Sequence, residues 1–338
     1  MSAELTPPGE LLAFLKDEDN FLIVCHLNPD GDALGSAGAL SMALGAIGKR
    51  TILLCRDAVP AFYEFLPGSR AFFTFSNVQA SGIPLQEFGN LILVDCNELR
   101  RTGMEKSPLA HFSFRSTAVI DHHETESVFG DIRWVAPETA ATGMMIHAII
   151  RELGVALTKD MAVNLYAALV VDTGNFRFEN TTSEVLRVAA ALAEAGAVPH
   201  KIHRELNETW SEGRFRLFAR VMNSILVEDG VATIVLTRKM FEETSTSADD
   251  TENFVSFPMI MKDITISFLL REVDSLDYKV SLRSKGEVNV ARIAEAFGGG
   301  GHKNAAGCNI KADLETAKAE VLKRLREQMR ASHRAPRE

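Results

Sequence analysis

A two-part α/β fold is predicted: a parallel sheet with flanking helices, then a helical linker and a smaller α+β domain. Three observations predict it. Apolar runs of strand length alternate with helix-length segments through about residue 207, the pattern of a parallel sheet with crossover helices. After about Glu208 the composition shifts and the runs become strand-like. The length of 338 residues, 46% of them hydrophobic, supplies two cores. The expected boundaries are 1–195 for the first domain, 196–222 for the linker and 223–338 for the second domain.

Each element has its own local reason. Leu11 to Lys16 reads as a short helix, and Phe21 to Cys25 as a buried strand. The segment Ala33 to Ile47 is rich in Gly, Ala and Ser, which lets a helix pack closely against a sheet, and Gly48 ends it. Thr51 to Cys55 is the next strand, so a right-handed β-α-β crossover follows. Residues 61–83 read as mixed and turn-rich. Strands are expected at 91–95 and 117–121, with an edge at Ile132 to Val135. Helices are expected at Ala140 to Leu153, Lys159 to Val171, Ser183 to Ala195 and His200 to Asn207. In the second part, a helix at Ser211 to Met222 precedes strands at Val231 to Leu236, Ile264 to Arg271 and Tyr278 to Leu282. Asp229-Gly230 reads as a turn, residues 242–252 as a mobile polar loop, Val290 to Phe297 and Asp313 to Gln328 as helices, and SHRAPRE as a frayed tail.

The chemistry gathers where apolar runs stop. Phe21 to Cys25 ends in His26, Asn28, Asp30 and Asp32, and Leu91 to Val94 ends in Asp95. Thr117 to Ile120 ends in Asp121, His122 and His123, and Tyr166 to Val171 ends in Asp172, Thr173 and Gly174. One such aspartate is most simply a turn or N-cap residue. Four coincidences, two of them with histidine, are hard to explain that way. The carboxyl ends of strands are also where open α/β sheets place their ligands.

In this order HLNPDGD (26–32), Asp95, DHH (121–123) and VDTG (171–174) resemble the four amino-terminal motifs of the DHH phosphoesterase superfamily. GGGGHKNAAG (298–307) resembles the signature of its DHHA1 carboxyl-terminal domain. The resemblance covers most of the chain. Its length and domain pairing are most similar to stand-alone bacterial oligoribonucleases that also act as phosphoadenosine phosphate phosphatases. It implies that His26 and Asp30 hold one ion, that Asp32, His122 and Asp172 hold another, and that Asp95 bridges them. Asp121 and His123 would then face substrate or support the ligands, with His123 donating a proton and Asp121 fixing an imidazole tautomer. It also implies that the second domain grips the nucleotide and presents its phosphate across a cleft between the domains.

The residue types agree with that chemistry. Histidine with several carboxylates and no thiolate suits Mn²⁺, Mg²⁺ or Fe²⁺ better than structural Zn²⁺, and the number of acids suggests two ions. Two ions roughly 3.5 to 4 Å apart can activate a shared water and stabilise entering and leaving oxygens, so phosphate ester hydrolysis is the expected reaction. A single glycine after the helix at 290–297 would be a C-cap, but four exceed that need, and Gly299, Gly300 and Gly301 could let backbone N–H groups approach an anion. His302 and Lys303 add donors, and Arg283 could fork onto a phosphate. Arg177, just after VDTG, could reach substrate. Phe176 and Phe178 beside it read mainly as core packing, and His111, His147, His200 and His203 as solvated or hydrogen-bonded side chains.

Bulk properties exclude several classes. A net charge of −9 argues against a broad basic surface for long duplex nucleic acid and favours a small anionic substrate. No apolar run approaches the roughly 20 residues of a membrane span, and MSAELTPPGE lacks a signal-peptide pattern, so a cytoplasmic location is expected. Cys25, Cys55, Cys96 and Cys308 form no C-x-x-C pair and read as buried thiols. The expected substrates are RNAs of two to five nucleotides, phosphoadenosine phosphate and dinucleotides, with Mn²⁺ as cofactor. A cyclic dinucleotide phosphodiesterase is the main alternative. A RecJ-like DNA exonuclease would need a further nucleic-acid-binding domain, a family II pyrophosphatase a different second-domain signature, and a non-catalytic nucleotide sensor would be expected to lose an acid. A homodimer is the base-rate expectation for assembly.

Overall fold

Helix α1 (Gly9–Asp17) turns Leu11, Phe14 and Leu15 inward and leads into β1 (Phe21–Val24), whose four side chains are all buried. Such a strand needs cover on both faces. The protein is described here from a computed structural model, which covers residues 5–332 except 108, 125–128 and 287. It divides into two units, Met1–Thr209 and Trp210–Glu338.

In the first unit Asp30 caps helix α2 (Gly31–Ala46), its Oδ1 accepting the N–H groups of Asp32 and Ala33 at 3.0 Å each. A cap of this kind contributes about 1 kcal/mol. The helix therefore starts two residues before the expected Ala33, and Asp32 lies in its first turn instead of in a loop. Gly48, at φ +82°, closes the other end in the left-handed conformation that suits glycine.

The sheet continues with β2 (Thr51–Cys55), β3 (Phe72–Thr74) and β4 (Asn90–Val94), then short helix α3 (Leu99–Thr102), β5 (Ser116–Asp121) and β6 (Ile132–Val135). All pairings are parallel, in the order β3-β2-β1-β4-β5-β6. Chain direction across the sheet reverses between β1 and β4, which makes that point the ligand crevice of an open α/β sheet. Strand β3 was not expected, because three residues are too few to show a period. Helices α4 (Thr142–Glu152), α5 (Lys159–Asp172), α6 (Ser183–Glu194) and α7 (Pro199–Asn207) complete the unit. The small residues of α2 serve a helix as well as the sheet: a Cβ on Gly35 would lie 2.4 Å from the Asn164 carbonyl oxygen of α5.

The second unit opens with α8 (Glu212–Asn223) and the hairpin of β7 (Leu226–Glu228) and β8 (Val231–Leu236). Asp229 and Gly230 both have positive φ, +49° and +79°, as the tightest hairpin turns require. Helix α9 (Arg238–Thr244) then leads to β9 (Ile266–Asp274), which runs parallel to β8. A parallel neighbour needs a crossover, and this requirement corrects the expected mobile loop. Residues 242–252 finish α9 and form a 3₁₀ turn at Ala248–Thr251 with a Ser247/Asp250 capping box. A longer 3₁₀ segment, Phe254–Ile260, then buries Phe254 and Val255.

Strand β10 (Asp277–Ser284), helix α10 (Val290–Glu295), the hairpin of β11 (Gly300–His302) and β12 (Ala305–Ile310), and helix α11 (Leu314–Ser332) follow. The sheet order is β11-β12-β10-β9-β8-β7, antiparallel except at β8–β9. Helix α11 runs past the expected Gln328, and the rest of the expected tail, 333–338, lies outside the described residues. The four cysteines are free and buried. Among the described residues, no helix is long and apolar enough to cross a membrane.

Candidate metal centre

Five chain segments converge at the crevice of the parallel sheet. β1 delivers His26, the start of α2 delivers Asp30 and Asp32, β4 delivers Asp95, β5 delivers Asp121, His122 and His123, and the end of α5 delivers Asp172. Among the described residues, three groups of side chains each place their ligand atoms within 4.8 Å of one another: His26, Asp30 and Asp95; Asp32, His122 and Asp172; and Asp95, His122 and His123. Asp95 belongs to two of them. Its backbone is in the left-handed region, φ +58°, an uncommon conformation for aspartate that tends to survive at functional sites.

The histidines are oriented for coordination. Both His26 Nδ1, 2.7 Å from the Leu27 carbonyl oxygen, and His122 Nδ1, 3.0 Å from that of Thr139, can donate only as N–H groups. Each Nε2 is thereby aimed at carboxylates. His26 Nε2 lies 3.4 Å from Asp95 Oδ2 and 3.9 Å from Asp30 Oδ1. His122 Nε2 lies 3.0 Å from Asp172 Oδ2, 3.6 Å from Asp95 Oδ1 and 3.8 Å from Asp32 Oδ2. It is nevertheless buried without a well-aligned hydrogen bond. A bare imidazole nitrogen among three carboxylates repels them, so a proton or a cation must occupy the space between. The donor set, the fixed tautomers and the orphaned Nε2 all fit a divalent cation.

Without a cation, protons do the neutralising. Burial disfavours the charged form of His26, but Asp95 and Asp30 outweigh it and push its pKa up to about 9. For His122, burial is likewise outweighed by Asp172, Asp32 and Asp95, and the pKa rises to about 10. Asp32 is driven well above the usual carboxylate range by burial and by the charges of Asp95 and Asp172. Burial and the same two neighbours also raise Asp30. Asp95 goes down, because three histidines facing it outweigh its burial. Clustered acids that cannot all ionise together are common at functional sites.

Several supporting residues are invisible to motif reading. Ala141 occupies the N-cap position of α4 and offers no capping side chain, so the first N–H groups of that helix need other acceptors. They find Asp32: Thr142 N donates to Oδ2 (2.7 Å) and Gly143 N to Oδ1 (2.9 Å), while Ser36 Oγ adds a third bond (2.8 Å). The Thr142 hydroxyl donates to Asp95 Oδ1 (2.9 Å). The one sequence clue was a helix that begins Ala-Ala-Thr-Gly with no capping side chain at its start.

The remaining expected residues fall into two groups. Asp121 is buried and accepts from His123 Nδ1 (2.8 Å) and from the His123 backbone N–H (3.2 Å), and its Oδ2 has no hydrogen-bond partner among the described residues. That contact fixes the His123 tautomer. Arg177 folds back, its Nε donating to the Gly174 carbonyl oxygen (2.7 Å). Phe176 packs edge-on against Tyr166, as core packing predicts, whereas Phe178 is 57% exposed with its ring over Gly174.

In the second unit Arg283 lies on β10, partly buried, with its guanidinium on the Leu282 carbonyl and its pKa lowered by burial. His302 lies in β11, and Lys303 begins the turn that follows. The glycine run has reasons of its own. Gly298, at φ +74°, ends α10. A Cβ on Gly299 would lie 2.2 Å from the Gly307 carbonyl oxygen, and one on Gly301 2.4 Å from that of Ala305. Only Gly300 of the four lacks both a close neighbour and a positive φ.

Comparison with known proteins agrees with this architecture. The DHH family, N-terminal domain, matches residues 20–169, and the DHHA1 domain matches residues 228–331. A Thermus thermophilus protein named bifunctional oligoribonuclease and PAP phosphatase NrnA is 34% identical over 316 residues, 92% of this chain and 91% of the relative. A Bacillus subtilis protein of the same name is 27% identical over 325 residues, 91% of this chain and 97% of the relative. The crystal structure of an exopolyphosphatase-related protein from Bacteroides fragilis superposes with a TM-score of 0.86 at 29% identity, covering 94% and 95% of the two chains. The expected family is therefore the observed one: the chain belongs to the DHH phosphoesterases, hydrolases, and carries a DHHA1 domain in its second unit.

Proposed function

We propose that the protein is a metal-dependent phosphodiesterase that degrades RNAs of two to five nucleotides to mononucleotides and also removes the 3′-phosphate of phosphoadenosine phosphate. The observation that carries this reading is the pair of His/Asp groups flanking Asp95, which suits a phosphoryl-transfer centre with a shared carboxylate. The names of the Thermus and Bacillus relatives support the substrate class.

In this reading His26 and Asp30 would hold one Mn²⁺, Asp32, His122 and Asp172 would hold the other, and Asp95 would contribute to both. Bound metal supplies an activated water and charge stabilisation at the phosphoryl oxygens. The protein's own residues do the rest. Asp121 holds His123 with Nδ1 protonated, and His123 Nε2 is then the atom that exchanges a proton with a phosphate or leaving oxygen. Arg283, Lys303, His302 and the backbone at Gly299, Gly300 and Gly301 would bind the nucleotide, with Arg177 as a further contact.

The test is a time course with 5′-labelled RNAs of two, three, five and twenty nucleotides, beside phosphoadenosine phosphate, cyclic di-AMP and polyphosphate, in Mn²⁺ and then in EDTA. Consumption of only the short RNAs and phosphoadenosine phosphate, stopped by EDTA, is expected. Fastest loss of the cyclic compound would move the function to second-messenger turnover, and turnover unaffected by EDTA would remove the metal reading.

A further inference from the structure

Asp32, in the first turn of α2, and Asp95, just after β4, are separated by 63 positions of sequence, yet one residue touches both. Thr142, completely buried at the first position of α4, donates its backbone N–H to Asp32 Oδ2 and its hydroxyl to Asp95 Oδ1. Resting on the metal-centre reading above, we propose that Thr142 is a positioning residue that sets the relation between the two carboxylates, and that its hydroxyl determines whether a second divalent ion is held beside the first.

Asp32 receives three donors, the backbone N–H groups of Thr142 and Gly143 and the Ser36 hydroxyl, and none of them depends on the Thr142 hydroxyl. Asp95 is different. Its side chain is 2% exposed, its backbone sits in the left-handed region, and the Thr142 hydroxyl is the one neutral side-chain donor bonded to it among the described residues. The other groups facing it are imidazoles at 3.4 to 3.7 Å, whose lone pairs or protons change with metal loading. The bond from the hydroxyl to Oδ1 opposes rotation of the carboxylate, which has Oδ2 toward His26 and Oδ1 toward His122. A carboxylate that must serve two neighbouring ions tolerates little rotation, and supporting donors of this kind typically tune metal affinity by 10- to 100-fold. Alanine at the N-cap position is part of the same arrangement: a capping side chain there would compete with Asp32 for the helix N–H groups.

The test separates the hydroxyl from the methyl group. Thr142→Val keeps the shape and removes the donor, and Thr142→Ser keeps the donor and removes the methyl. Equilibrium dialysis with Mn²⁺ and the electron paramagnetic resonance spectrum of the loaded protein are read in the absence of substrate, with thermal melting alongside. Wild type and Thr142→Ser are expected to bind two ions with a spin-coupled signal. Thr142→Val is expected to bind the first ion normally and the second at least tenfold more weakly, with an uncoupled signal and a lower kcat at unchanged KM. Should Thr142→Val fail to fold, Thr142→Ala carries the same comparison. Two tightly bound, coupled ions in the variant lacking the hydroxyl would overturn the proposal. Failure of the wild type to bind two ions would overturn the metal reading on which it rests.

Discussion

The two sheets of this protein carry polar function in opposite ways. The parallel sheet of the first unit brings five segments together at its switch point, where they crowd partly buried imidazoles and several carboxylates against one another. Those groups are poorly satisfied by the fold and need a cation or protons. The mixed sheet of the second unit ends in a glycine-rich hairpin whose Gly298, Gly299 and Gly301 are needed by the fold itself. An unusual composition can therefore mark a site or merely a tight turn. What separates them is whether the structure leaves a polar group without a partner.

The contrast can be broken first at Asp95. Asp95→Ala should lower hydrolysis of a dinucleotide by about 10³-fold or more, equivalent to about 4 kcal/mol of barrier, because two of the three His/Asp groups lose a member. The melting temperature should change little in EDTA. Comparable turnover by the variant in steady-state assays would show that the convergence of acids is not the reactive centre.

Next in size is the hairpin. Gly299→Ala forces a Cβ to 2.2 Å from a carbonyl oxygen, and overpacking of that kind costs about 2 to 3 kcal/mol. Urea unfolding should report this loss while Mn²⁺ binding, measured by dialysis, stays as in wild type. A loss of substrate affinity without a loss of stability would instead assign Gly299 to recognition.

Titration gives a third, smaller difference. The pKa values of His26 and His122 stand above the ordinary imidazole value of about 6.5 in the folded, metal-free protein, so their protonated forms stabilise it. That stabilisation is complete below about pH 6.5 and is lost as pH rises through about 9 to 10. In EDTA the melting temperature should therefore fall over this window, by a few °C. In Mn²⁺ the same rise in pH removes the protons that compete with metal, so the gap between the two curves should widen. Parallel curves in scanning fluorimetry would mean that these imidazoles do not face the cation.

The smallest effect belongs to Gly300, which has open space at its Cβ. Gly300→Ala should change stability by no more than about 0.5 kcal/mol. A raised KM for dinucleotide with unchanged kcat would then assign its backbone to the substrate, and an unchanged KM would remove the hairpin from recognition.

These contrasts also explain what the sequence made legible. His26, Asp95 and His122 could be read because short strands with apolar runs end abruptly beside them, and parallel sheets gather strand ends in space. Asp30 and Asp32 could be read as residue types but not as a cap and a first helical turn, since boundaries depend on where the cap bonds form. Thr142 and Ser36 were out of reach. Thr142 acts on carboxylates 110 and 47 positions earlier, and no local period or spacing encodes such a partner. The crossover at 242–252 was misread because its polar composition resembles a loop, whereas the parallel pairing of β8 with β9 decides its conformation. The glycine run admits two readings by composition alone, because close approach to a neighbouring strand leaves the same signature as close approach to a phosphate.

The most direct test of a shared carboxylate is an anomalous difference map from a crystal of the protein soaked in Mn²⁺. Two peaks are predicted, one beside His26 and Asp30 and one among Asp32, His122 and Asp172, with Asp95 contributing an oxygen to each. A single peak, or two peaks with Asp95 bound to neither, would contradict the account.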